Sequence, residues 1–163
     1  MATVYIGLGS NLGHREANLE QAMRLFKPEF RITKTSGVYE TDKLYRMGRP
    51  RCLNMCIRID TDLSPEVVFE KCKVVEKAMG RRKTHKDDPR VIDVDLLLYD
   101  STVLRTATLT IPHPRMHERA FVLVPLSEIA PRAEHPVLKK TITQLVSALG
   151  NYSQKIVKID QAV

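Results

Sequence analysis

Residues 89–99, PRVIDVDLLLY, read as a buried strand interrupted by charge. Val91, Ile92, Val94, Leu96, Leu97 and Leu98 are apolar, and Pro89 stands ahead of them. Asp93 and Asp95 break the run. Two residues apart on a strand means one face, at a backbone separation of about 6.5–7 Å. Ile92, Val94, Leu96 and Leu98 are expected on the opposite face, as the anchor. Spacing leaves two readings level. Arginine could bridge a pair of edge-strand carboxylates, and Arg90 is close enough in sequence to do so. Equally, the pair could grip Mg²⁺, which takes hard oxygen ligands and keeps positions open for phosphates.

Outward from that stretch the chain alternates between the two periodicities. TVYIGL (3–8) predicts a strand, stopped by the GSNLG turn at 9–13. Leu19, Ala22, Met23 and Phe26 recur at helical spacing within 14–27, and Pro28 ends them. RITKTSGVYE (31–40) and CLNMCIRID (52–60) read as strands, separated by the polar, basic loop 41–51. Ser64-Pro65-Glu66 opens a helix, with Ser at the N-cap and Pro at the first helical position. Its stripe is Val68, Cys72, Val75 and Met79, and Gly80 closes it. A charged loop, 80–89, leads into the strand at 91–99. Beyond lie a short strand near 102–105, a helix over 116–127, a helix over 141–149 and a late edge strand over 154–160. The order β-α-β-β-α-β predicts an α+β, ferredoxin-like fold: a mostly antiparallel sheet with packed helices and C-terminal additions. One domain over 1–163 is expected.

Composition bounds the function. The chain has 163 residues, 43% of them apolar, which suits a globular domain with a full core. No run approaches the roughly 18 apolar residues of a membrane span. MATVYIGLGSN has no charged segment ahead of an apolar one, so a cytoplasmic protein without a signal peptide is expected, as a monomer. Cys52, Cys56 and Cys72 form no CxxC and read as free thiols. A net charge of +7 and a pI near 9.5 call for an anionic partner, nucleic acid or a nucleoside triphosphate. There is no tryptophan, and the central strands offer acidic or aliphatic residues rather than stacking aromatics. That weakens the alternative of a basic ferredoxin-like, nucleic-acid-binding module without catalysis. GLGSNLG (7–13) matches neither the dinucleotide fingerprint nor the P-loop, and reads as a strand-to-helix turn with an Asn cap. Arg81, Arg82, Lys83, Lys86 and Arg90 precede the carboxylates, and Arg115 and Arg119 follow them. A carboxylate pair among guanidiniums and ammoniums is what Mg²⁺-nucleotide chemistry requires, and this tips the balance toward the cation.

These stretches together resemble a known family. GLGSNLG, YET (39–41), LN (53–54), EKAMGR (76–81), PRVIDVDLLLY and IPHPRMHERAFVLVPLSEIAP (111–131) run in the order of the 6-hydroxymethyl-7,8-dihydropterin pyrophosphokinases, over residues 3–131. The last two blocks are highly specific. The resemblance implies a ferredoxin-like fold and transfer of pyrophosphate from ATP to the pterin hydroxymethyl group, giving the pterin diphosphate and AMP in folate biosynthesis. It implies two Mg²⁺ on Asp93 and Asp95. It implies ATP contacts at Glu76, Arg81, Lys83, Arg90, Leu96, Thr110, His113 and Arg119, with Arg81 and Arg90 catalytic beside the two aspartates. The pterin pocket falls on Thr41, Asp42, Leu44, Cys52, Asn54 and Phe121, with Gly9 and Asn11 shaping its floor. Asn54 offers an amide donor and acceptor to the pterin edge, and Phe121 a stacking ring. The chain also departs from the pattern. Cys52 stands where the family has Tyr or Phe, and Tyr45 is the candidate substitute. Lys83 occupies a place often held by arginine, Thr108 replaces an arginine of some members, and His85 is the only ring in the 81–89 loop.

Overall fold

A computed structural model describes residues 1–41, 51–80, 90–151 and 156–159. Strands β1 (Ala2–Ser10), β2 (Arg31–Thr35), β3 (Tyr39–Thr41), β4 (Leu53–Thr61) and β5 (Asp93–Tyr99) alternate with helices α1 (Arg15–Phe26) and α2 (Pro65–Ala78). A two-stranded ribbon follows, β6 (Leu104–Arg105) with β7 (Thr110–Ile111), then α3 (Ala120–Ile129), α4 (Ile142–Ala148) and β8 (Ile156–Lys158). The sheet runs β5-β1-β4-β3-β8, with β2 also on β4, and its pairings are antiparallel. No helix among the described residues is long and apolar enough to cross a membrane.

Period-two alternation sorts the sheet's two faces. Val4, Ile6 and Leu8 of β1, Leu53, Met55, Ile57 and Ile59 of β4, and Val94 and Leu96 of β5 pack beneath α1 and α2. The helices answer with Leu19, Ala22, Met23 and Phe26, and with Val68, Cys72 and Val75, the stripes that the sequence spacing predicts. Ser64 caps α2 by accepting from the Val67 N–H at 3.3 Å. On the other face a second core, of Cys56, Leu97 and Leu98 with Leu123 and Leu126 of α3 and Ile142 and Leu145 of α4, covers part of the sheet.

Four expectations need correction. β1 does not stop at Gly9 but continues through Ser10, with Gly9 paired on both sides and Ser10 paired with β4 alone. Leu98 does not share the face of Leu96: the register with β1 shifts between Tyr5 and Ile6, leaving Leu97 as the extra residue, and both Leu97 and Leu98 enter the second core. The strand expected at 31–40 is two strands, because the Ser36 hydroxyl takes the Cys56 N–H at 2.9 Å and the Gly37 N–H turns away to Glu128. The helix expected at 116–127 is a 3₁₀ turn at Met116–Glu118, an extended Arg119, and then α3.

Glu128 ties three elements together. Its carboxylate accepts from the Gly37 N–H (3.0 Å) and the Tyr39 hydroxyl (2.6 Å) and pairs with Lys158 (3.1 Å). These partners outweigh partial burial, which acts the other way, and hold the Glu128 pKa below its ordinary 4.5. A depressed carboxylate stabilises the fold above its ordinary pKa, and that contribution is lost as pH falls through the folded value. Glu128→Gln is therefore expected to cost about 1 kcal/mol at neutral pH, discounted for partial exposure. In urea titrations the gap from the wild type should close as pH falls below 4.5. A gap that persisted unchanged in acid would show that charge is not what Glu128 contributes.

Candidate functional site

The uncovered part of the second face is a cleft, and its floor is set by register. Across three strands Gly9 lies between Asn54 and Asp93, and Gly7 lies between Cys56 and Asp95. Alternation puts both glycines, both carboxylates and Asn54 on the cleft side. A Cβ on Gly9 would stand 2.7 Å from Asn54 Oδ1, whereas one on Gly7 would meet only Leu97 at an ordinary 3.5 Å. Gly9 is bare because the Asn54 amide lies over it. Asn54 is 6% exposed, and its Nδ2 has no acceptor among the described residues. Its Oδ1 accepts from the Cys52 thiol at 3.6 Å. A buried donor left in that state costs about 1–3 kcal/mol, which an acceptor on a bound ligand recovers.

The carboxylates stand on the other bank. Arg90 Nη1 pairs with Asp93 at 3.0 Å. Arg90 is itself fixed by its backbone: its N–H donates to Asn11 Oδ1 (2.6 Å), and the Asn11 N–H donates to its carbonyl (3.1 Å). Asn11 is thus a clasp between β1 and β5 rather than a helix cap. The turn before α1 is held instead by Asn18, which donates to Ser10 Oγ and the Leu12 carbonyl. Asp95 is pushed up to about 6, by burial first and then by the charge of Asp93; Glu76 adds to this, and Arg119 and Lys73 offset part of it. Among the described residues no cluster of three or more His, Cys, Asp or Glu could hold a metal alone. Two hard carboxylates on one strand face suit Mg²⁺, which completes its shell with other oxygen ligands, and do not suit a zinc site.

The cleft has two lobes, of about 530 and 270 Å³, which share Lys73, Asp95 and His113. The extended backbone of Arg119 (φ −110°, ψ 103°) brings it to the larger lobe, with its guanidinium 5.5 Å from the centre of the Phe121 ring. The His113 N–H donates to the Leu97 carbonyl, the bulged residue of β5, at 3.0 Å. Burial, then Arg119 and Arg115, lower the His113 pKa to about 4, so the ring is neutral at pH 7. Its Nδ1 accepts from the Arg115 N–H at 3.2 Å, which leaves the ring proton on Nε2, a donor suited to a phosphate oxygen. Thr41 and Cys52 form the far wall, joined by a Thr41 N–H to Cys52 carbonyl bond of 3.0 Å.

The larger lobe thus gathers Gly9, Asn11, Thr41, Cys52, Asn54, Arg90, Asp93, Asp95, His113, Arg119 and Phe121, and the smaller one adds Leu96, Thr108 and Thr110. Glu76 lines neither lobe: it is 4% exposed, its Oε2 accepts from the Val94 N–H at 3.0 Å, and its Oε1 pairs with Lys73 at 3.2 Å. Arg81, Lys83, Asp42 and Leu44, like Tyr45 and His85, lie outside the described residues. Gly7 and Lys73 were not singled out in the sequence. The first could have been found from two glycines at i and i+2 in one strand, and the second from its position three residues before Glu76 on one helix face.

Known proteins are similar to this chain in sequence and in fold. Residues 5–131 match the family described as 7,8-dihydro-6-hydroxymethylpterin-pyrophosphokinase. The chain is 40% identical over 144 residues to a 2-amino-4-hydroxy-6-hydroxymethyldihydropteridine pyrophosphokinase of Aquifex aeolicus, covering 88% of this chain and 90% of that protein. It is 41% identical over 132 residues to the protein of that name in Bacillus subtilis, covering 80% and 79%. A folic acid synthesis protein of Dictyostelium discoideum is 38% identical over 91% of this chain, which spans only 22% of that longer protein. A Plasmodium falciparum HPPK-DHPS crystal structure, with pterin and p-hydrobenzoate, superposes with a TM-score of 0.77 at 15% identity, over 97% of this chain and 48% of that one. At that identity the likeness is one of fold.

The glycine floor makes an internal comparison possible. Gly9→Ala is expected to displace the Asn54 side chain, and Gly7→Ala to leave it in place. The side-chain amide resonances of Asn54 in nitrogen-15 spectra report this directly. Equal shifts in both variants would contradict the register-based account.

Proposed function

The chain belongs to the 7,8-dihydro-6-hydroxymethylpterin-pyrophosphokinase family, and from that premise we propose that it transfers the terminal diphosphate of ATP to the hydroxymethyl group of 6-hydroxymethyl-7,8-dihydropterin, releasing AMP, as a step of folate biosynthesis. One observation carries this reading. The row Asn54–Gly9–Asp93 sets a buried amide donor, without an acceptor among the described residues, and the Arg90-paired carboxylate on one floor, with no side chain between them. A heterocycle whose edge presents hydrogen-bond acceptors fits the Asn54 side, and a polyphosphate fits the other.

In this proposal the pterin occupies the wall of Thr41, Cys52, Asn54 and Phe121, with Asp42 and Leu44 contributing from the adjoining loop. ATP spans both lobes. Leu96 and Thr110 flank its base, the neutral His113 donates from Nε2, and Arg90 and Arg119 neutralise phosphate oxygens with Arg81 and Lys83. Asp93 and Asp95 hold two Mg²⁺. Bound Mg²⁺ supplies charge neutralisation to the phosphate oxygens. The hydroxymethyl oxygen attacks the β-phosphorus in line, the bond from that phosphorus to the α-phosphate oxygen breaks, AMP leaves, and the hydroxyl proton passes to solvent. No side chain need become covalently attached, so orientation and fixed charge carry the rate. Glu76, placed behind β5, serves ATP through Lys73 and the Val94 backbone rather than by touching it. We assign the fold as ferredoxin-like, counting 31–41 as one interrupted strand, which makes the frame β5-β1-β4-β3. We further assign a single pyrophosphokinase domain acting as a cytoplasmic monomer on these two small molecules, without nucleic acid or membrane.

AMP formation from ATP tests the reading: it is expected only when both the hydroxymethyl dihydropterin and Mg²⁺ are present. Pterin-independent hydrolysis, or no AMP at all, counts against it. Asp95→Ala is expected to cut turnover by roughly a thousandfold or more while pterin binding persists, the scale of losing several kcal/mol of charge stabilisation. Normal turnover in a folded Asp95→Ala protein would remove the carboxylate pair from the mechanism.

A further inference from the structure

Behind the pterin wall stands an ionic cluster that the proposed chemistry does not use. Glu40 of β3 points to the face opposite its neighbours Tyr39 and Thr41. One of its oxygens takes Arg15 Nη2 at 2.9 Å and the other takes Arg51 Nη1 at 3.1 Å. Arg15 Nη1 also donates to the Arg51 carbonyl at 2.7 Å, which closes a triangle. Arg15 and Glu40 are 26% and 20% exposed at the side chain, so water screens this pair less than an ordinary surface bridge.

Each corner of the triangle adjoins the cleft. Glu40 precedes Thr41 and Arg51 precedes Cys52, and these are the two wall residues joined backbone to backbone at 3.0 Å. Arg15 is the first residue of α1, reached from the cleft residue Asn11 through one short turn. β3 has only three residues, and its register with β4 ends at Glu40 opposite Leu53. The paired register thus ends one residue short of Thr41 and Cys52, where a single backbone bond remains, and the guanidinium triangle braces that end of the ladder.

We propose that Glu40, held by Arg15 and Arg51, is a positioning residue that sets the Thr41–Cys52 wall against Asn54 and so controls affinity for the pterin but not for ATP. This rests on the pterin assignment above. One carboxylate shared by two guanidinium forks fixes direction as well as distance, which is what holding a wall in place requires.

Calorimetric titration with 6-hydroxymethylpterin, in the presence of a non-hydrolysable ATP analogue and Mg²⁺, tests it on the full chain. Glu40→Gln is expected to weaken pterin binding roughly five- to tenfold, and to leave analogue binding and kcat at saturating pterin within about twofold. Arg15→Gln should give a similar loss, and the double variant no more than either alone, because all three remove one triangle. Glu40→Asp, which keeps the carboxylate, should recover part of the affinity. Unchanged pterin affinity in a folded Glu40→Gln protein overturns the proposal, as does equal weakening of pterin and analogue, which marks a general loss of structure. A wild-type protein that binds the analogue but no pterin overturns the pterin assignment itself, and this inference with it.

Discussion

The site depends on one strand being bare on one side. β1 is hydrogen-bonded along both edges, and its buried face is filled by Val4, Ile6 and Leu8. On the other face Gly7 and Gly9 carry nothing. Each glycine within a strand costs about 0.5–1 kcal/mol relative to alanine. Pairing on both edges and complete burial of the opposite face offset that cost. A side chain at Gly9 would collide with Asn54 and drive it from the floor, while one at Gly7 would meet only Leu97, so it is Gly9 that keeps the two halves of the cleft joined.

Much of this was legible in PRVIDVDLLLY and its surroundings. Period two along 91–95 gave the carboxylate face, helical spacing gave the α1 and α2 stripes, and Ser64-Pro65 gave the start of α2. What escaped depends on partners distant in sequence. GLGSNLG read as a turn because nothing local reveals that Gly9 is flanked by Asn54 and Asp93. The break at Ser36-Gly37 requires Cys56 on one side and Glu128 on the other. Leu97 looked like any other apolar strand residue, and only pairing with β1 makes it a bulge. Asn11 had the chemistry of a cap and spends it on Arg90 instead. The candidate ATP and pterin residues were named through resemblance, and the geometry then sorted those described: Glu76 lines neither lobe, and Lys73 and Gly7 join the cleft.

Charge around β5 is distributed unequally, and the imbalance is informative. Asp93 faces Arg90, and Glu76 is held by Lys73 and the Val94 N–H. Asp95 sits between them and is raised to about 6, because Arg119 and Lys73 offset only part of what burial and two neighbouring carboxylates impose. It is also the carboxylate that borders both lobes. A strand whose acids served only to bridge surface arginines would not leave its most buried one under-compensated. Of the two readings that spacing left level, the arginine bridge is present between Arg90 and Asp93, and the raised Asp95 supports the proposed cation site beside it.

The bulge at Leu97 lets one short strand serve the cleft and the second core. In unbroken alternation Asp93, Asp95 and Leu97 would share a face and Leu98 would point beneath α2. The extra residue sends Leu97 and Leu98 together under α3 and α4, where they anchor the helix that begins beside Arg119 and Phe121. The same bulge presents the Leu97 carbonyl to the His113 N–H, docking the segment that carries the neutral imidazole onto the edge of β5. Carboxylates, imidazole and the Arg119 guanidinium are thereby referred to a single strand rather than to separate loops. A phosphoryl transfer that works by orientation and fixed charge needs its groups placed within about 0.5 Å. A buried strand with a packed bulge can hold that tolerance, and this is the physical support for placing the proposed chemistry there.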